Sequence, residues 1–152
     1  MATVNQQSRP SLRLTRTFDA PPEKVFAALT QPAQLMRWFA PGDDYTTPRA
    51  EVDLRPGGRY LIEMRWQDQR YLVSGTYREV CAPQRLVFTW KWEDWPPESE
   101  TLVTIELHSV AGRTELALTH ELFPDAEQRD KHQGGWSACL DRLAASGLLS
   151  AT

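Results

Sequence analysis

The hydrophobic and polar positions of this chain change their period twice along its length. Residues 12–18 alternate between apolar and polar side chains, which is the pattern of a half-buried strand. Two short segments of helical period follow, one between Pro21 and Thr30 and one between Pro32 and Pro41. Proline is tolerated in the first turn of a helix, so it can begin both of these segments.

Strand-like alternation then returns and repeats six times. The runs cover residues 51–55, 60–66, 71–80, 86–92, 103–108 and 116–120, and a turn signal separates each from the next. Gly75 falls inside the third run and predicts a bend or bulge there. Repeated short runs of this kind are typical of an antiparallel meander with one buried face.

The helical period resumes after Pro124 and continues to about Gly147. Asp125 is a suitable N-cap and Gly147 a suitable stop for this helix. One stripe along it contains His132, Trp136, Cys139 (or Leu140) and Leu143. We therefore predict an α+β fold, in which a curved antiparallel sheet of about seven strands wraps around a long C-terminal helix, with two short helices after the first strand.

Two adjacent glycines, Gly134 and Gly135, interrupt that stripe. Each destabilises a helix by about 1 kcal/mol relative to alanine. Close approach of the helix to the sheet would explain them, and so would clearance above a pocket; we favour close packing. No lysine–serine pair accompanies these glycines, so they do not indicate a phosphate-binding loop.

Length and composition restrict the classes of protein that need to be considered. The 152 residues most simply form one domain over residues 12–148, after a flexible N-terminal tail of residues 1–11. A net charge of −3 gives no reason to expect nucleic acid as a partner. No run of about 20 apolar residues predicts a membrane span, and the polar N-terminus does not resemble a secretory signal. Cys81 and Cys139 fit no metal-ligand spacing and indicate a reduced, cytoplasmic protein, although the sequence leaves a disulfide open.

Large side chains occupy the predicted inner faces of the sheet and helices. They are Tyr60, Ile62, Met64, Trp66, Tyr77, Phe88 and Trp90 on the strands, Trp136, Cys139 and Leu143 on the last helix, and Trp38 and Phe39 at the end of the second. If the sheet and the last helix stand apart, these side chains line an apolar pocket for a small hydrophobic ligand. If not, they fill a solid core, and periodicity alone does not separate the two. We place the pocket entrance between residues 39–48 and 92–99.

Two histidines on apolar faces, His120 and His132, are the candidates for orienting a ligand or exchanging protons with it. The alternative is that core hydrogen bonds satisfy them. Two histidines without a third placed ligand make a poor metal site, so we predict no metal, and no cofactor is indicated. Arg16 lies among apolar residues of the first strand and is expected to pair with a carboxylate.

Seven segments in this order resemble one known protein family. They are Arg16-Thr17-Phe18-Asp19-Ala20-Pro21, Trp38-Phe39-Ala40-Pro41, Arg55-Pro56-Gly57-Gly58, Gly75, Leu86-Val87-Phe88-Thr89-Trp90, Leu118-Thr119-His120 and His132-Gln133-Gly134-Gly135-Trp136. Together they cover nearly all of residues 12–148. The family is the Aha1-like branch of the START-related superfamily, which is also called the polyketide cyclase superfamily.

The resemblance implies a helix-grip fold and favours the pocket over the solid core. It does not imply a single activity, because the superfamily contains lipid carriers, aromatic cyclases and oxygenase subunits. An enzyme of the cyclase, dehydratase or hydrolase type acting on a ring-forming metabolite is one alternative to simple binding. An Aha1-like protein-interaction module with a chaperone partner is the other, and a homodimer is also compatible with the sequence.

Overall fold

The structure is a computed structural model that describes residues 9–150, and its elements follow the predicted order. They are β1 (Leu12–Phe18), α1 (Pro22–Thr30), α2 (Pro32–Trp38), β2 (Thr46–Val52), β3 (Arg59–Trp66), β4 (Gln69–Cys81), β5 (Arg85–Trp92), a short 3₁₀ turn (Pro97–Ser99), β6 (Thr101–Val110), β7 (Arg113–Glu121) and α3 (Ala126–Ala145). Most of the predicted tail, residues 1–8, lies outside the described residues. Pro10 and Ser11 accept hydrogen bonds from Phe123 and Arg129.

The seven strands form one antiparallel sheet in the order β1-β7-β6-β5-β4-β3-β2. The sheet is curved, and α3 packs along β1 and against α2. This arrangement confirms the predicted α+β helix-grip fold. Its consequence for function is that α3 lies across the concave face of the sheet, where side chains from both can meet.

The second strand begins earlier than the sequence pattern predicted. β2 starts at Thr46, within the segment that we expected to be an irregular loop. It is an edge strand, and its pairing with β3 shifts register between Thr46 and Arg49. Pro48 sits in that shift, where a residue without an N–H is tolerated. The proline therefore marks an irregularity within the strand, and not the end of a loop.

Gly75 does not mark a bulge, contrary to the prediction. The shift in register between β4 and β5 lies between Tyr77 and Glu79, not at the glycine. A Cβ atom on Gly75 would stand 1.9 Å from the carbonyl oxygen of Thr89 and 2.8 Å from the ring of Tyr60. Tyr60 donates its hydroxyl to that same oxygen at 2.6 Å. The glycine therefore permits a close approach of two strands and one aromatic ring.

Both predicted ends of α3 are confirmed. The carboxylate of Asp125 accepts a hydrogen bond from the backbone N–H of Gln128 at 2.9 Å, as an N-cap does. Gly147 takes a positive φ of 81° directly after the final turn. The helix is continuous through Gly134 and Gly135.

An ion pair attaches α3 to the first strand. Arg16 on β1 donates to the hydroxyl of Ser137 at 2.7 Å and lies 3.6 Å from a carboxylate oxygen of Asp141. The predicted acidic partner of Arg16 is therefore present. Asp141 is largely exposed, so the pair adds little to stability. The pair lies where α3 packs along β1.

Candidate ligand-binding cavity

A cavity of about 530 Å³ separates α3 from strands β3 to β5. Its lining is mainly aromatic and apolar. The lining residues are Phe39, Pro41, Tyr45, Met64, Tyr71, Trp90, Trp92, Gln128, Lys131, His132, Gly134, Gly135, Trp136 and Cys139. Ligand sites in proteins commonly measure about 300–1,000 Å³ and have mostly apolar walls with a few polar groups. The space between sheet and helix is therefore large enough for a small molecule.

The sequence-predicted site residues divide into three groups. Those that line the cavity are Phe39, Met64, Trp90, His132, Trp136 and Cys139. Those that line only a separate void of about 30 Å³ in the core are Tyr60, Ile62, Tyr77 and Phe88. Those that line neither space are Trp38, Trp66, His120 and Leu143. A void of about 30 Å³ holds no more than about one water molecule, so the second group belongs to packed core.

Packing accounts for the residues that lie away from the cavity. Trp38 is buried and donates its indole N–H to the carbonyl oxygen of Ala28 at 2.8 Å. Trp66 is half-buried and stacks on Tyr45, with ring centroids 6.1 Å apart. Leu143 is completely buried in the hydrophobic core. Each of the three packs against other parts of the protein, and none of them lines the cavity.

The sequence analysis did not include several of the lining residues, although the strand period indicated two of them. Trp92 is two residues from Trp90 on β5 and therefore shares its face, and Tyr71 shares a face with Tyr77 on β4. Pro41 and Tyr45, from the segment after α2, also line the cavity. The loop after Trp92 contributes no lining residue.

His120 is the centre of a buried hydrogen-bond network. The indole N–H of Trp136 donates to its Nδ1 at 3.0 Å, and its Nε2 lies 2.7 Å from the hydroxyl oxygen of Thr101. Thr101 gives its own proton to the carbonyl oxygen of Trp90 at 2.9 Å, so His120 must be the donor in the contact with Thr101. This assigns the neutral tautomer with the proton on Nε2. Burial lowers the pKa of His120 well below its usual value, and His132 adds to the effect.

His132 is satisfied in the same way on the wall of the cavity. Its Nδ1 donates to the carbonyl oxygen of Gln128 at 2.8 Å, and its Nε2 accepts from the indole N–H of Trp92 at 2.8 Å. Desolvation lowers its pKa, and the charge of Lys131 contributes. The rings of His120 and His132 are only 5.3 Å apart, yet all four nitrogens are engaged. The pair therefore positions Trp92 and Trp136 and offers no free acid or base in this state.

Trp90 differs from its neighbours because its indole N–H has no acceptor among the described residues. The side chain is 4% exposed and lines the cavity. Buried donors without a partner are rare in native proteins, because each costs about 1–3 kcal/mol. The nitrogen is itself inaccessible, so the ring of Trp90 lines the cavity while its N–H is buried behind that wall.

The remaining polar groups limit the chemistry of the site. Lys131 is exposed at the lining and forms no ion pair with another described residue. Burial raises the pKa of the Cys139 thiol to about 12, so the reactive thiolate is disfavoured. Cys81 and Cys139 are both free thiols. Within residues 9–150, no three histidine, cysteine or acidic residues are grouped so that they could hold a metal ion.

The fold and the cavity together define a class: a helix-grip protein with an apolar space between its sheet and its last helix. Residues 19–146 match the family of activator of Hsp90 ATPase homolog 1-like proteins, and the chain belongs to that family. Among the described residues, no helix is both long enough and apolar enough to cross a membrane.

Solved structures of family members agree with this assignment. A protein from Chromobacterium violaceum is 30% identical, with 89% of this chain and 94% of the other covered and a TM-score of 0.80. The AHSA1 protein of Silicibacter pomeroyi is 33% identical over 90% and 96% of the two chains, with a TM-score of 0.79. An HSP90 activator from Plasmodium falciparum is 28% identical over 84% and 87%, with a TM-score of 0.67. No curated protein matches the chain.

Proposed function

We propose that this protein binds a small, mostly apolar molecule in the cavity between α3 and strands β3 to β5. The cavity of about 530 Å³ with its aromatic walls is the observation that carries the proposal. Trp92 and Trp136 provide contact area and are held in place by the two histidines. The ring of Trp90 adds a further aromatic surface to the same wall.

Native mass spectrometry of protein purified from its own host tests this proposal. We expect a stoichiometric adduct of low mass that disappears when the protein is denatured, and extraction identifies it. The denatured protein is the control for covalent modification. An adduct-free mass, together with an unchanged melting temperature across a panel of apolar probes, would contradict the proposal, since a bound ligand stabilises the folded state.

A chaperone-related role is the second candidate, and family membership is the observation that favours it. One of the similar structures is an HSP90 activator. An interaction module needs exposed apolar surface. The exposed large hydrophobic residues of the described chain are Met36 on α2 and Val110 at the end of β6, which lie on different elements. The test is the ATPase rate of the Hsp90 from the same host. Stimulation that is lost in a Met36→Ser Val110→Ser variant supports this role, and an unchanged rate at saturating protein argues against it.

A further inference from the structure

Most polar groups on the wall of the cavity are already used by the protein itself. The indole N–H groups of Trp92 and Trp136 are donated to histidines, and both ring nitrogens of His132 are engaged. The thiol of Cys139 is hydrogen-bonded to the backbone of Ala40. A ligand inside the cavity therefore meets mainly apolar surface.

The side of the wall that α3 forms has few side chains. A Cβ atom built on Gly134 or Gly135 meets no heavy atom within 4 Å. The sequence-based preference for close packing of the helix at these glycines is therefore wrong. Gln128 and Lys131 line the cavity from the preceding turns, three residues apart and thus on one face of the helix. These two side chains supply the free polar groups of α3 at the cavity.

Four lining residues have polar side chains that form no hydrogen bond or ion pair with another residue of the described range 9–150. They are Tyr45, Tyr71, Gln128 and Lys131. The first three are half-buried and Lys131 is exposed, so their polar atoms lie at the rim of the cavity, where its wall reaches solvent. No aspartate or glutamate of the described residues lines the cavity. The charge at this rim is therefore the positive charge of Lys131.

The acidic residues near Lys131 on α3 do not neutralise it. The carboxylate of Asp130 lies 2.6 Å from Arg129. Glu127 is one turn before Lys131, at a spacing that often pairs glutamate with lysine, yet no ion pair joins the two. The ammonium group also acts on the cavity wall, because it adds to burial in lowering the pKa of His132. Lys131 thus presents an unbalanced positive charge beside an apolar space.

We propose that the ligand is an amphipathic anion, with its apolar body between α3 and the aromatic side chains of the sheet and one carboxylate group at Lys131. This inference rests on the proposed function and names the class of its ligand. One lysine balances one negative charge, and the amide of Gln128 on the same helix face can donate a further hydrogen bond to the carboxylate. The negative charge of Asp44, which together with burial and Tyr71 raises the pKa of Tyr45, disfavours an anion near that tyrosine.

Two probes with the same ring system test the charge of the ligand. 2-Naphthoate carries a carboxylate, and 2-naphthol carries a neutral hydroxyl. In calorimetric titrations at low salt, Lys131→Gln should weaken the binding of 2-naphthoate by about three- to fivefold and that of 2-naphthol by less than about twofold. Lys24→Gln is the matched control, because it removes the same charge from α1, outside the cavity, and should change neither affinity by more than about twofold. An unchanged affinity for 2-naphthoate in Lys131→Gln, or an equal loss for both probes, would overturn the inference.

Reversal of the charge at the rim provides a second test. 2-(Aminomethyl)naphthalene is a cation with the same ring system, and it should bind Lys131→Glu about three- to fivefold more tightly than the wild type. Lys131→Arg keeps the charge and should bind 2-naphthoate within about twofold of the wild type. The melting temperature of each variant shows that the fold is retained. A wild-type protein that binds the cation more tightly than 2-naphthoate would contradict the proposed carboxylate.

The outcomes separate this inference from the proposed function. If the three probes bind equally well to the wild type and to the Lys131 variants, the cavity binds apolar molecules but the role of Lys131 is wrong. If no probe binds, the inference fails. If protein from the host also carries no molecule and no apolar probe raises its melting temperature, the proposed function fails with it.

Discussion

At the residue scale, two histidines hold two tryptophans of the cavity wall in fixed orientations. His120 and His132 each accept an indole N–H and donate their own proton elsewhere, and both are neutral. Protonation would replace an acceptor nitrogen with a second donor facing an indole N–H. The network therefore links the shape of the cavity to the protonation state of two buried side chains.

Acid should destabilise the fold through these histidines. Their pKa values are lowered in the folded protein, chiefly by burial, whereas an unfolded histidine titrates near 6.5. As the pH falls below about 6.5 the unfolded chain takes up protons first, so stability that is full above this pH is progressively lost, by up to about 1.4 kcal/mol per pH unit for each histidine. Urea unfolding between about pH 7.5 and 5.5 measures the slope. His120→Gln should make it shallower, and an unchanged slope would contradict this account.

Thr101 should matter more than its size suggests. Its hydroxyl connects His120 to the carbonyl oxygen of Trp90, and it is 1% exposed. Thr101→Val leaves the buried Nε2–H of His120 without an acceptor and removes one donor to the carbonyl oxygen of Trp90, so we expect a loss of about 1–3 kcal/mol in the free energy of unfolding. Thr104→Val is the control, because Thr104 lies half-buried on the same strand without this network. Equal effects of the two substitutions would show that the hydrogen bonds of the Thr101 hydroxyl do not contribute to stability.

The sequence identified the two histidines but not their relation. Both were named as candidate site residues because they lie on apolar faces of their elements. Their proximity depends on how β7 and α3 are placed, which no local pattern encodes. The hydrogen bonds of His120 depend further on Thr101 from β6, whose position next to it comes from strand pairing.

At the element scale, the spacing of apolar residues was sufficient to predict that seven strands and three α-helices exist. Alternation indicated the strands, and the helical period indicated the helices. Strand and helix periods are local properties, and the N-cap at Asp125 is equally local. β2 was predicted at residues 51–55, whereas it spans Thr46–Val52, so the prediction began five residues late and ended three residues late. Pro48 interrupts the pattern at its start, while tertiary pairing at an edge accommodates the proline. Gly75 was recognised as special, but its cause is a contact with Thr89 of the neighbouring strand.

Gly75→Ala should strongly destabilise the sheet. The added Cβ would lie 1.9 Å from the carbonyl oxygen of Thr89, so β4 and β5 must separate or the contact of Tyr60 with that oxygen must be lost. We expect a loss of about 2–3 kcal/mol in the free energy of unfolding, measured by urea titration. Ser74→Ala on the opposite face of β4 should change it by less than about 1 kcal/mol. A Gly75→Ala protein as stable as the wild type would contradict the close contact.

At the scale of the whole molecule, the central claim is that the sheet and α3 enclose a binding space beside a packed core. Sequence could not decide this, because the same aromatic side chains can fill a core or line a cavity. The structure divides them: Tyr60, Tyr77 and Phe88 pack with one another, whereas Trp90 and Trp136 face the cavity. Whether an aromatic side chain fills the core or lines the cavity depends on the distance between helix and sheet. The periodicity of the sequence gives no information on that distance.

The most direct measurement is a ¹H–¹⁵N spectrum of the tryptophan indole groups during titration with 2-naphthol. Our account predicts saturable shifts of the indole resonances of Trp90, Trp92 and Trp136, because the rings of all three line the cavity that the ligand enters. Trp38 is the internal control, since its N–H is already bonded to Ala28 away from the cavity. If these three resonances stay unchanged while other parts of the protein respond, the ligand does not bind in this cavity.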